Sequence, residues 1–242
     1  MALAEQSVQH LEEQLEHQSK NAFFRAEPQG MSAYPVAKAG WPFIGASAFT
    51  TFVLALSGLT YFAVAGLLVT FFICYFFRDP DRMTPNQPDA VISPADGRIV
   101  YTGVVEKSPF IDGPCLKIGI FMNIFNVHVN RIPFSGSIKD IRYFPGKFYS
   151  ADKEEASVAN EHNAVILETP KHQTICFVQV AGFVARRIIC FIQKEDAVTC
   201  GQRFGLICFG SRVDVYLPAD AVLDAAKGDK VKAGASIIGH LA

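Results

Sequence analysis

The chain has 242 residues, enough for one sizeable core with an appendage, and a formal net charge of −1. A balance so close to neutral argues against a nucleic-acid-binding surface. Half of the residues are hydrophobic and the mean hydropathy is +0.22, so part of the chain is expected to meet lipid rather than water.

Residues 1–40 are polar, with Val8, Leu11 and Leu15 at helical spacing and a Pro/Gly-marked stretch from Pro28 to Pro35. They read as a short amphipathic helix and a linker. The run Trp41–Phe77 then contains no Asp, Glu, Lys or Arg. As one straight helix it would extend about 55 Å, against a hydrocarbon core of about 30 Å. Ser57 and Gly58 at its midpoint offer a turn, so the run reads as a membrane helical hairpin over 41–77. Lys20, Arg25 and Lys38 precede it and Arg78 and Arg82 follow it, which places both ends on the cytoplasmic side of the cell membrane. A buried core hairpin would show polar interruptions on some face, and a signal peptide would begin nearer the N-terminus.

A charged, proline-rich linker, 78–87, leads into a β-rich catalytic domain over 88–242. Here short apolar runs such as CLKIGIFM, AVILET and TICFVQVAG alternate with Gly, Pro and Asp. The six cysteines (Cys74, Cys115, Cys176, Cys190, Cys200 and Cys208) show no CxxC spacing and read as reduced, buried thiols, with no metal site expected. The segment Lys227–Gly234, KGDKVKAG, looks like the turn of lipoyl and biotinyl carriers, and Ser93–Gly97 followed by RIVYTGVV like the matching turn and strand. The fold class expected is mostly β, a barrel-sandwich-hybrid-like domain behind an N-terminal apolar helical hairpin.

Near the C-terminus, Gly205–Phe209 and Val213–Leu217 read as strands, with Gly210, Ser211 and Arg212 between them. A Gly-Ser bond is usually only a turn. It also permits chemistry, because glycine tolerates a backbone bend that brings the serine hydroxyl against the preceding carbonyl. Attack by Ser211 Oγ turns the Gly210 amide into an ester, and β-elimination with hydrolysis then leaves a pyruvoyl ketone at position 211. Such a ketone forms a Schiff base with an amine and withdraws electrons, so that an adjacent carboxylate leaves as carbon dioxide.

Four segments in order, SPADGRI (93–99), FNVHVNRIP (125–133), VAGFVARRI (180–188) and RFGLICFGSRVDVYLP (203–218), together with the apolar hairpin ending in FFRDPDR, resemble the phosphatidylserine decarboxylase proenzymes, most closely their short, archaeal-type branch. The similarity runs from about residue 35 to the C-terminus. It implies self-cleavage between Gly210 and Ser211, conversion of Ser211 to a pyruvoyl cofactor, and site roles for His128 and Asp96. It implies phosphatidylserine within membrane lipid as the partner, association of the 1–210 and 211–242 chains of one precursor, and no nucleic acid; self-association, lipid tail class, and spanning versus shallow insertion of the hairpin stay open. Longer members of the family carry His-x-x-His-x-Pro. Here His128 matches the first histidine and Arg131 stands in place of the second, and an always-charged guanidinium is a poor general base.

Read from the residues alone, His128 lies in an alternating segment and faces away from Val127 and Val129, and Asp96 precedes Gly97 in a turn, where local hydrogen bonding is common. Arg186, Arg187 and Lys147 are candidates for lipid phosphate contact and equally for solvated charge. His162 takes no assignment from sequence. The rival functional reading is a membrane-tethered barrel-sandwich carrier or binding module in which Gly210-Ser211 is an ordinary turn.

Overall fold

The computed structural model describes residues 23–24, 35–183, 187–208 and 210–242. The amphipathic helix expected around Val8–Leu15, the linker beginning at Pro28, and Arg186 lie outside them. The described chain forms two compact units, one within Gln29–Asp81 and one that runs Arg82–Ala242 and takes in the strand Phe23–Phe24.

The first unit is a helical hairpin, Trp41–Leu56 and Thr60–Phe76, turned at Gly58 with φ +73°. No residue of the first helix is buried, although the helix is apolar all round. The stretch Lys38–Leu56 is long and apolar enough to cross a membrane, and Thr60–Phe76 is shorter. Small and hydroxylated residues line the contact between the two helices. Ser47 and Thr70 share a hydrogen bond of 2.8 Å, and Gly66 leaves room for the Thr51 side chain. At the base, the Ala37 N–H donates to Phe77 O at 2.8 Å and Phe43 stacks on the Phe77 ring.

The second unit is mostly β. Its strands are β1 (Phe23–Phe24), β2 (Thr84–Pro85), β3 (Ala90–Ile92), β4 (Gly97–Val105), β5 (Cys115–Met122), β6 (Val129–Arg131), β7 (Gly136–Phe144) and β8 (His162–Glu168). There follow β9 (Thr174–Ala181), β10 (Ile188–Cys190), β11 (Ala197–Val198), β12 (Arg203–Ile207), β13 (Ser211–Pro218), β14 (Val222–Leu223), β15 (Lys230–Val231) and β16 (Ile237–His240). An eight-stranded sheet in the order β11-β7-β8-β9-β13-β5-β4-β15 curls into a half-barrel, and β10-β12-β6 and β14-β16-β3 form smaller sheets.

Alternation along β13 sorts its side chains between two environments. Val213, Val215 and Leu217 join Ile118, Ile120, Phe177 and Phe204 in the main core. Tyr216 joins Phe110, Cys176 and Val178 in a second cluster. The two carrier-like turns meet directly: Lys230 pairs with Arg98, the Gly234 N–H donates to Ser93 O at 2.9 Å, and the Ser93 N–H donates to Ser236 O at 2.8 Å.

One sequence expectation changes. β12 and β13 do not pair with each other; β12 lies in a three-stranded sheet and β13 between β9 and β5 in the large one. Ser211 and Arg212 belong to β13 rather than to the connection. The chain therefore crosses from one sheet to another at Gly210, which takes the left-handed φ of +70° that the corner requires.

Candidate active site

Ser211 opens β13 opposite Met122 on β5 and Ala181 on β9. Arg98 on β4 lies opposite Phe121 on β5, so the turn carrying Asp96 sits at the same end of the large sheet. The alternation of β13 turns Ser211 to the main-core face, fully buried, and Arg212 to the other. Ser211 Oγ donates to the Met122 thioether at 3.4 Å. A thioether is a weak acceptor, so the hydroxyl is released from it at little cost.

His128 is fully buried beside this corner. Its Nδ1 lies 3.0 Å from Asn126 O, an acceptor, so Nδ1 carries the proton. Its Nε2 then accepts the Gly210 N–H at 3.3 Å. The basic nitrogen is held at the residue that precedes Ser211, while the Ser211 hydroxyl itself bonds Met122. The carbonyl oxygen of Gly210 rests against Gly182, and a Cβ on residue 182 would collide with it. Gly182 is thus required as a glycine for space at the bond in question.

Asp96 is placed differently. One carboxylate oxygen accepts from Arg82 at 3.0 Å and the other from the Ala233 N–H at 2.8 Å, which joins the Ser93–Gly97 turn to the segment after β15. The structure thus brings His128 to Gly210 and gives the Asp96 carboxylate to Arg82 and Ala233. Arg131 is buried, donates to Gly201 O at 2.9 Å and packs against Gly234. His162 is a packing residue: its ring stacks on Phe144 at 4.7 Å, and Nδ1 lies 2.7 Å from Asn160 O. Lys147 is exposed and reaches Tyr149. Arg187 is exposed too. The Cys208 thiol is pushed up by burial, with the Arg187 charge pulling the other way, and is a poor nucleophile.

Behind the corner lies a buried ionic cluster that sequence reasoning missed. Arg212 Nε donates to Asp214 at 2.5 Å, and Arg212 also donates to Glu154 at 2.6 Å. Lys117 bonds Glu154 and donates to Ser157 Oγ at 2.9 Å, and Ser157 donates to Asp214 at 2.5 Å. Gly119 leaves the room that the Arg212 guanidinium fills. The cluster ties the start of β13 to the segment 153–157. Arg212 and Asp214 stand two apart on one strand, a visible hint, but their partners are remote in sequence.

Residues 69–239 match the family model for phosphatidylserine decarboxylase. A protein of Desulfotalea psychrophila called phosphatidylserine decarboxylase proenzyme is 51% identical over 207 residues, covering 86% of this chain and 97% of that one. Proteins of the same name from Geotalea uraniireducens and Ralstonia pickettii are 47% and 44% identical, covering 97% and 99% of their own lengths. The mostly β fold and these matches define an enzyme of the carboxy-lyase class. The chain belongs to the phosphatidylserine decarboxylase family.

Proposed function

We propose that this chain is a proenzyme that cuts its own backbone between Gly210 and Ser211, converts Ser211 to a pyruvoyl group, and decarboxylates phosphatidylserine to phosphatidylethanolamine and carbon dioxide. The observation that carries the reading is the corner itself. Gly210 sits left-handed with its N–H on His128 Nε2, and the next residue is a fully buried serine.

In this scheme Ser211 Oγ leaves the Met122 sulfur and attacks the Gly210 carbonyl carbon as His128 Nε2 takes the hydroxyl proton. The Gly210–Ser211 C–N bond breaks and the nitrogen of residue 211 becomes an amine. Loss of the Cα proton of residue 211 then expels the Gly210 carboxylate, and water replaces the nitrogen, which departs as ammonia. The surroundings fit a pyruvoyl group: residue 211 is walled by Met122 and the main core, while a Cβ built on Gly210 would meet nothing within 4 Å, leaving space beside the bond for an incoming amine.

When formed, the ketone supplies an electron sink for the electrons released as carbon dioxide leaves. His128 Nε2 gives a proton back to the substrate Cα. The apolar core face excludes water from one side of residue 211. Asp96 is retained as an acidic group at the same end of the sheet, its position fixed by Arg82 and Ala233. The hairpin tethers the enzyme to the cell membrane with the catalytic domain on the cytoplasmic side, where its substrate is already concentrated. The chains 1–210 and 211–242 stay associated.

Intact-mass measurement of the purified protein tests the reading. Two chains are expected, the smaller beginning at residue 211 with a ketone in place of an amine. Ser211→Ala is expected to give one chain and no carbon dioxide. An uncut chain with full activity would overturn the proposal.

A further inference from the structure

Half of the ten large apolar side chains that the β-domain exposes among the described residues gather at one end of it. β5 and β9 end, and β13 begins, at the same end of the large sheet, because Ser211 pairs with Met122 and with Ala181. The residues just past those strand ends are Ile124 and Phe125 beyond β5 and Phe183 beyond β9. They are 39%, 59% and 71% exposed. The loop after β7 adds Tyr149 at 43% and Val158 at 78% to the same end, since Phe144 pairs with His162 and the Ala181 N–H donates to Glu161 O. Exposed Lys147, Lys153 and Arg187 lie on the same loops, and so do exposed Asp152, Glu154 and Glu155, so the apolar side chains rather than charge distinguish this end.

Isolated exposed apolar residues are ordinary on a soluble surface, but several gathered at one end of a sheet mark an interaction site. Aromatic rings and aliphatic side chains gathered together suit a surface that sits at the lipid headgroup level. The position selects the occupant. The rim surrounds the strand ends that present residue 211, and that residue is fully buried. A headgroup carrying two acyl chains reaches it at lower cost if the rim enters the interface than if the lipid leaves the bilayer.

We propose that the end of the β-domain carrying Ile124, Phe125 and Phe183 is a membrane-docking face that enters a phosphatidylserine-containing bilayer beside the strand ends that hold Ser211. This rests on the decarboxylase reading for the identity of the lipid. The hairpin supplies attachment, and the rim selects which face of the domain meets the lipid.

Phe183→Trp in a Trp41→Phe background leaves a single tryptophan as reporter in the full chain. Reconstituted in vesicles of phosphatidylcholine and phosphatidylserine, it is expected to emit at shorter wavelength than in detergent and to be quenched by brominated acyl chains. Emission unchanged and unquenched would overturn docking. A blue shift in detergent that grows with protein concentration, without bromine quenching, would assign the face to a second copy and equally overturn it. In the second arm, the triple change Ile124→Ser, Phe125→Ser and Phe183→Ser is expected to lower turnover of vesicular phosphatidylserine about tenfold while turnover of a monomeric short-chain phosphatidylserine is kept. An equal loss on both substrates, or none, counts against the proposal. Quenching needs no catalysis, so a chain that docks yet releases no carbon dioxide would sink the decarboxylase reading and leave the docking face standing.

Discussion

The backbone N–H of Gly210 donates to Nε2 of His128 across 3.3 Å, so the unprotonated nitrogen of a buried imidazole is fixed at the residue before Ser211. His128→Ala is expected to leave the precursor uncut. His128→Gln keeps an acceptor but loses the base, and self-cleavage should slow by about 10²–10⁴-fold. Both are read from the fraction of the 211–242 chain in mass spectra taken over time. Cleavage of the alanine variant at the parent rate would remove His128 from the mechanism.

Two glycines flank the same carbonyl and should respond differently to alanine. At Gly182 the new methyl group collides with Gly210 O, and relief requires moving the carbonyl of the proposed cleavage bond. Overpacking of this kind costs about 1–3 kcal/mol, and here the displacement falls on the reacting group. Gly182→Ala should therefore accumulate uncut precursor while its circular dichroism stays that of the parent. At Gly210 there is space, but φ is +70° and an L-residue pays about 1–2 kcal/mol there. Gly210→Ala should lower the thermal midpoint by a few degrees and slow cleavage less than Gly182→Ala does. The reverse ranking would show that backbone strain, not carbonyl placement, limits the reaction.

Much of this was legible in the sequence because the governing signals are local. A charge-free run broken by Ser57-Gly58 can only bury itself in lipid or core, and the hairpin turns at Gly58 as expected. The β character followed from short apolar runs between turn residues. What stayed hidden depends on contacts between distant residues. Nothing near Gly205–Leu217 announces that the two strands belong to different sheets, since their partners are β6 and β10 for one and β5 and β9 for the other. Arg212 meets Glu154 across 58 positions, and the need for glycine at 182 exists only because the chain returns there at 210.

The buried ionic cluster makes stability depend on acid. Burial works to raise the Glu154 pKa, but hydrogen bonds from Lys117 and Arg212 outweigh it and hold the carboxyl below its ordinary value. A folded value below the unfolded one stabilises the protein above the unfolded pKa, and that contribution disappears as the pH falls through the folded value. Glu154 is half exposed, so Glu154→Gln should cost about 1 kcal/mol or less at pH 7. It should also flatten the fall of the thermal midpoint below about pH 4. Asp214→Asn removes a fully buried partner of Arg212 and should cost about 3–5 kcal/mol. Melts followed by circular dichroism in detergent at several pH values check both. Equal effects of the two substitutions would mean that the cluster does not distinguish its buried carboxylate from its exposed one.

By the motif resemblance Arg131 stands where longer family members carry a second histidine, and substituting histidine there should not improve this enzyme. The guanidinium is buried and donates to Gly201 O. A shorter ring leaves that carbonyl without its donor, at a cost of about 1–3 kcal/mol. Arg131→His is expected to melt earlier and to release carbon dioxide no faster than the parent. Faster release at unchanged melting temperature would mean that position 131 limits the chemistry.

β13 runs between β9 and β5, and its first residue is Ser211. A break just before it would therefore sever the polymer while leaving both neighbouring ladders paired from Arg212 onward. The liberated segment would remain a stave in the middle of the barrel wall, extractable only by tearing down the wall on both sides. Daughter chains held in this way would not exchange between molecules, so each active centre would be minted once, by its own polypeptide, and never restored from spare parts.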